Sequence, residues 1–192
     1  MNKSVSSKDD INAKSKDESD LLSDLKISAH EANIHYRVGD ATRPVLPRGC
    51  KVAIIVHICN DVGLWGKGFV LAISKRWKGP AKVFKSKENY EIGTTDFVYV
   101  VDTDEEKIIV ANMIAQVGVR RNKNTGLPPI RYVELEKCLR QVNDFIDTLD
   151  EQASVHMPRI GCGLAGGEWD IVERIIYRSL PDRDVTVYDL PN

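Results

Sequence analysis

The run KVAIIVHI at residues 51–58 constrains this chain more than any other segment, because its apolar residues do not alternate with polar ones. A strand that is apolar on both sides must be covered on both sides, so the run predicts a central strand of a sheet with a layer packed on each face. Immediately after it comes the glycine-rich stretch HICNDVGLWGKGF at 57–69, and then FVLAISKRW at 69–77, whose apolar spacing is helical. A buried strand therefore gives way to a helix through a glycine loop.

The same alternation continues along the chain. NIHYRV (33–38), DFVYVVD (96–102), KIIVANMIA (107–115), SVHMPRI (154–160) and DVTVYDL (184–190) read as strands. PPIRYVELEKCLRQVNDFIDTL (128–149) reads as a helix opened by proline, and EWDIVERIIYRSL (168–180) as a second amphipathic helix. Strands alternating with helices, with one adjacent strand pair, predict an α/β domain whose sheet is mixed but mostly parallel and covered on both faces. Residues 1–28 are rich in Ser, Lys, Asp and Glu and lack the apolar content to offset the entropy of ordering, so they are expected to form a flexible polar arm before a domain spanning 29–192.

Composition bounds the partners. The chain has 192 residues, 42% of them hydrophobic, with 27 basic against 28 acidic side chains and a net charge of -1. This balance gives no general electrostatic reason to bind DNA, RNA or an anionic membrane, although it is compatible with a local basic patch. An anion site must then be built locally. Cys50, Cys59, Cys138 and Cys162 form no CxxC pair, so neither a metal site nor a disulfide framework is expected, and no cofactor is implied. The N-terminus has no apolar core of signal-peptide length, and no apolar run approaches the ~20 residues that span a bilayer. A cytoplasmic monomer is the expectation.

In such folds ligands bind beyond the carboxyl ends of the strands, where loops lead into helices. Two glycine-rich loops have that placement, HICNDVGLWGKGF and RIGCGLAGGEW at 159–169. Glycines let backbone N–H groups approach an anion closely, and the helix start behind each loop adds about half a positive charge. Two such loops facing one crevice predict a diphosphate cradle. Neither carries GxGxxG or GxxxxGK[ST], which argues against dinucleotide dehydrogenases and P-loop NTPases.

YRVGDAT (36–42), HICNDVGLWGKGF, VANMIAQ (110–116), MPRIGCGLAGGEW (157–169) and VTVYDL (185–190) resemble, in order, the motifs of macrodomains, which are ADP-ribose-binding modules. The resemblance runs from about residue 33 to the end and implies a three-layer α/β/α fold. It implies that Asp40, next to Ala41, accepts a hydrogen bond from the adenine amino group. Tyr188 is either an aromatic beside adenine or a core tyrosine. Asn60 would contact the distal ribose, with Gly66, Gly68 and Phe69 flanking that ribose and its phosphate. Gly161, Cys162, Gly163, Leu164, Ala165 and Gly166 would offer backbone amides to the diphosphate. Lys67 would either add a charge there or face solvent. Cys162 has no histidine base beside it in sequence and is expected to be a small loop residue rather than a nucleophile.

The branch of the family determines the chemistry. MPRIGCGL resembles macrodomains that remove ADP-ribose from proteins with a lysine and an aspartate, but Gln116 and Ala165 stand at those positions. Glutamine forms no adduct with the ribose aldehyde carbon and alanine exchanges no proton, which argues against that mechanism. HxCNxxGxWGxG resembles the branch of ADP-ribose 1''-phosphate phosphatases, in which the histidine matching His57 is a candidate catalytic residue. His57 is then either a proton-transfer group or a buried histidine held by hydrogen bonds. Asp61 either orients water or the His57 imidazole, or caps the loop. Two functions remain open: a hydrolase acting at the 1'' position of ADP-ribose, on a phosphate, an acyl group or a protein side chain, and a non-catalytic reader of ADP-ribose or ADP-ribosylated protein.

Overall fold

The computed structural model describes residues 33–191, together with Asp20. The expected N-terminal arm otherwise lies outside the described residues. Among the described residues, six strands form one sheet: β1 (Ile34–Val38), β2 (Val52–Asn60), β3 (Thr95–Asp102), β4 (Lys107–Gln116), β5 (Ala153–Pro158) and β6 (Val185–Asp189). Their order is β1-β6-β5-β2-β4-β3, and all neighbours are parallel except β3 and β4. The mostly parallel, mixed sheet expected from the sequence is present, with the apolar run of β2 in the interior.

Among residues 33–191, four helices flank it: α1 (Phe69–Arg76), α2 (Gly79–Lys85), α3 (Tyr132–Ile146) and α4 (Trp169–Ser179). Alternate residues of β2 point to opposite layers. Ile54 and Val56 pack with Leu135, Leu139, Val172 and Ile176 of α3 and α4, whereas Ala53 and Ile55 pack with Ile73 of α1. These are the three layers, and β2 is nearly dry on both sides because each face meets a helix layer.

Two sequence readings change. α2 was not anticipated: GPAKVFK buries only Pro80 and Phe84, too short a stripe for periodicity to detect. The helix expected from Pro128 begins at Tyr132 instead. Residues 128–131 are not helical: the chain bends at Pro129, the Ile130 amide donates to the Ala165 carbonyl and the Val117 amide to the Pro129 carbonyl. The prolines strap the end of β4 to the β5–α4 loop.

The connections leaving β2 and β5 set the site. These strands are neighbours, yet β2 leads to α1 on one face and β5 to α4 on the other. Their loops must diverge and leave a crevice between them, the switch point at which open α/β sheets bind ligands.

Candidate functional site

A cleft of about 270 Å³ lies at that point. Its floor is the end of the sheet, with His57 and Ile58 from β2, Gln116 from β4 and Pro158 from β5. Lys67, Gly68 and Phe69 form one wall, and Gly161, Gly163, Leu164 and Ala165 the other. The two loops singled out in the sequence are thus brought face to face. Lys67 is exposed at the rim, and Gly66, also exposed, lies just outside the lining.

The β5–α4 loop is shaped by its backbone. Gly161 has φ 74°, and a Cβ there would fall 2.5 Å from Ile130 Cδ1, so any side chain would strain the backbone and push Ile130 aside. The Gly167 amide donates to the Gly161 carbonyl at 2.8 Å, which closes the loop. The amides of Cys162 and Gly166 complete turns, donating to the carbonyls of Arg159 and Gly163. These two residues of the expected cradle therefore shape the loop, while the amides of Gly161, Gly163, Leu164 and Ala165 donate to no group among the described residues. Opposite them α1 begins at Gly68 with no side-chain cap. Such N–H groups, together with the positive end of the helix dipole, can hold a polyanion.

The Cys162 thiol donates to the Ile160 carbonyl, and burial pushes its pKa up to about 11 against the opposing effect of Arg159. It is a thiol at neutral pH and a poor nucleophile.

The β2–α1 loop is shaped by side chains. Asn60 Oδ1 accepts from the amides of Val62 and Leu64, and its Nδ2 donates to the Leu64 carbonyl at 2.5 Å. One amide hydrogen of Asn60 is left over. Trp65 donates from Nε1 to Ser74 and packs against Phe84. Asp61 accepts the Gly118 amide at 2.7 Å, tying this loop to the segment after β4.

His57 is 2% exposed, between the edges of Trp65 and Phe69. Asn112, beside it on β4, donates through its amide nitrogen to the Pro80 carbonyl, so Asn112 Oδ1 faces the ring at 2.7 Å and the His57 proton sits on Nε2. Burial pushes the His57 pKa down to about 4, although the hydrogen bonds to Asn112 and the Ile58 backbone oppose it. The other ring nitrogen lies 3.8 Å from Cys59 Sγ. The ring is neutral and engaged on both sides.

Asp40 and Ala41 follow β1, at the same end of the sheet. Asp40 Oδ1 accepts from the amide and hydroxyl of Thr42, which leaves Oδ2 without a partner among the described residues. Tyr188 is 4% exposed beneath Gly39; its hydroxyl accepts the Val45 amide and donates to His156 Nδ1. The core alternative for this tyrosine is the one its surroundings support. An aromatic group does lie near the cleft: Arg159, one of its lining residues, stacks over Trp169 and Tyr36 and pairs with Asp189 through two hydrogen bonds of 2.7 and 2.9 Å. This pairing is not legible in the sequence, because the Arg of MPRI and the Asp of VYDL lie 30 residues apart and only the fold brings them together. Among the described residues there is no cluster of three or more side chains able to hold a metal ion, and no helix is long and apolar enough to cross a membrane.

No family model matches the sequence. The structure is similar to a Bacteroides thetaiotaomicron protein of unknown function, with 46% identity, a TM-score of 0.73, and coverage of 84% of this chain and 100% of that one. It is also similar to a macrodomain protein of Streptomyces coelicolor, with 39% identity, a TM-score of 0.63, and coverage of 81% and 98%. Among curated proteins, mouse chromodomain-helicase-DNA-binding protein 1-like is 30% identical over 161 residues, 81% of this chain; the match spans only 17% of that protein. The Candida albicans ADP-ribose 1''-phosphate phosphatase is 25% identical over 150 residues, 73% of this chain and 89% of its own length. With both glycine loops meeting at the switch point of the expected sheet, and that degree of identity over nearly the whole of the Streptomyces protein, the chain belongs to the macrodomain family.

Proposed function

We propose that the chain binds ADP-ribose in this cleft and hydrolyses a substituent at the 1'' position. The observation that carries the reading is the set of four free amides, at Gly161, Gly163, Leu164 and Ala165, opposite the uncapped start of α1. A diphosphate matches that set in charge and in acceptor number. Asp40 Oδ2 would accept from the adenine amino group, and the spare hydrogen of Asn60 would reach a distal ribose hydroxyl. The name of the Candida relative supports a 1''-phosphate as the substituent.

Within this reading His57 positions rather than transfers protons. Its ring backs Trp65 and Phe69, and through Asn112 it fixes the start of α2, so it holds the wall beside the distal ribose. The chemistry then falls to a water oriented by backbone amides and by the free oxygen of Asp61, with the amides stabilising developing negative charge. The absence of a reactive side chain at Gln116 and Ala165 favours slow turnover, or none, in which case the chain is a reader.

The test has two arms. Calorimetry with ADP-ribose should give a 1:1 complex of micromolar affinity, about -8 kcal/mol; no heat and no NMR shifts at millimolar ligand would end the reading. Incubation with ADP-ribose 1''-phosphate, O-acetyl-ADP-ribose and mono-ADP-ribosylated protein should release product from at least one. Binding without release from any of them leaves a reader and removes the hydrolase.

A further inference from the structure

The chain is nearly neutral overall, but its charge is segregated. Seven of its 27 basic residues, and none of its 28 acidic ones, fall between residues 62 and 87. This segment starts at the cleft wall and forms α1 and α2, which lie side by side on one face of the sheet. Lys87 pairs with Asp96 at 2.7 Å. The other six, Lys67, Lys75, Arg76, Lys78, Lys82 and Lys85, are exposed and form no salt bridge among the described residues. Favourable helix-dipole interactions account for a cation in the last turn of each helix, but not for 26 consecutive residues without one carboxylate.

An aromatic ring sits within this field. Trp77, between the two helices, packs against the buried cluster of Ala53, Ile55 and Ile73, and the exposed Arg76 guanidinium lies over its ring, 4.9 Å from the centre. A cationic surface with an exposed guanidinium plane in its midst suits a flexible strand of phosphodiesters, whose backbone the lysines neutralise and whose bases stack on Arg76. An anionic bilayer would favour a continuous apolar stripe, whereas the exposed Leu71 and Val83 stand apart with lysines around them. We propose that the outer face of α1 and α2 binds single-stranded nucleic acid. The surface begins at Lys67, a lining residue of the cleft, so a strand bound here would pass the mouth of the cleft. It does not depend on what the cleft holds.

The experiment is fluorescence anisotropy of a labelled oligothymidylate titrated with the full chain at increasing salt. Binding should weaken with salt, with a log-log slope of about -0.7 for each phosphate neutralised. The triple substitution Lys75→Gln, Arg76→Gln, Lys78→Gln should weaken binding at least about tenfold at low salt and make the slope shallower by about 2. A second variant on the other helix, Lys82→Gln with Lys85→Gln, should act in the same direction, with melting temperatures unchanged because all these side chains are exposed. Absence of binding by the parent chain at low salt would overturn the proposal, as would equal binding by both variants. Capture by phosphatidylserine vesicles that the triple substitution abolishes, with no oligonucleotide bound, would make the face a membrane surface and overturn it equally.

Discussion

The two walls of the cleft are built by opposite means. The β2–α1 loop takes its shape from side chains, with Asn60 bonding the loop backbone, Asp61 gripping Gly118 and Trp65 anchored on Ser74 and Phe84. The β5–α4 loop takes its shape from glycines and from its own backbone hydrogen bonds, and leaves the amides of Gly161, Gly163, Leu164 and Ala165 free. A wall built from side chains can be weakened by removing one. A wall built from bare backbone is weakened by adding one.

Acid should break the comparison most strongly, because the first wall rests on a titratable group. His57 and His156 are both buried and have pKa values pushed down to about 4 from an ordinary 6.5 by desolvation. His156 is held between Ser154 Oγ and the Tyr188 hydroxyl. A histidine that is neutral when folded takes up its proton on unfolding between those two values. Stability is therefore full above about pH 6.5 and falls as the pH drops toward 4. At pH 5 the two together should cost on the order of 4 kcal/mol, to be measured by denaturant unfolding against pH. His57→Gln should remove about half of that acid dependence; if the curve keeps its shape, the ring is not the buried neutral group described here.

The second wall should respond to an added methyl. Gly161→Ala places a Cβ against Ile130 in a left-handed backbone conformation, at a cost of about 3 kcal/mol from strain and overpacking together. Thermal unfolding reads the loss. ADP-ribose affinity should fall with it, because the displaced loop carries the free amides. Unchanged affinity with lowered stability would separate the glycine's packing from the proposed diphosphate site.

How much of this could be read in the sequence depends on where each partner lies. The central strand was legible because Ile54, Ile55 and Val56 leave no polar face, and the two loops because their glycines follow such strands. The non-helical path of Pro128 and Pro129 was not, since it is fixed by hydrogen bonds to the end of β4 and to the loop at Ala165, both distant in sequence. Side-chain assignments divide in the same way. That loop 159–169 is rich in bare backbone could be read from its own composition. The settings of Asn60, whose oxygen is consumed by Val62 and Leu64, and of Tyr188, whose hydroxyl meets Val45 and His156, needed the folded chain. Net charge is an average: a value of -1 leaves room for the local segment of seven cations between residues 62 and 87.

Asn60→Ala should have a smaller effect than the glycine change. It removes three hydrogen bonds of the first loop but leaves room for water at the half-exposed residues beside it, so about 2 kcal/mol of stability is expected to be lost. The comparison sharpens if adenosine monophosphate binding survives while ADP-ribose binding weakens, since the proposed contacts of this loop are confined to the distal end. Equal weakening of both would place Asn60 nearer the shared half of the ligand.

The smallest effect is expected at Cys162, which a glycine-lined wall invites one to treat as a nucleophile. Its pKa of about 11 leaves only about one thiolate in a few thousand at pH 7.5, and its hydrogen is directed to the Ile160 carbonyl rather than into the cleft. The amide of this residue closes a turn, and alanine keeps that amide. Cys162→Ala should therefore leave ADP-ribose affinity, and any release of product from the three substrates, within about twofold of the parent, since a surface-proximal change of this size alters stability by no more than about 0.5 kcal/mol. Alkylation by iodoacetamide should be slow at pH 7.5 and accelerate as the pH rises toward 11. Rapid alkylation at neutral pH, together with turnover reduced a hundredfold in the alanine variant, would mean that the thiol is activated by the bound substrate, and that the wall described as bare backbone contains the reacting group after all.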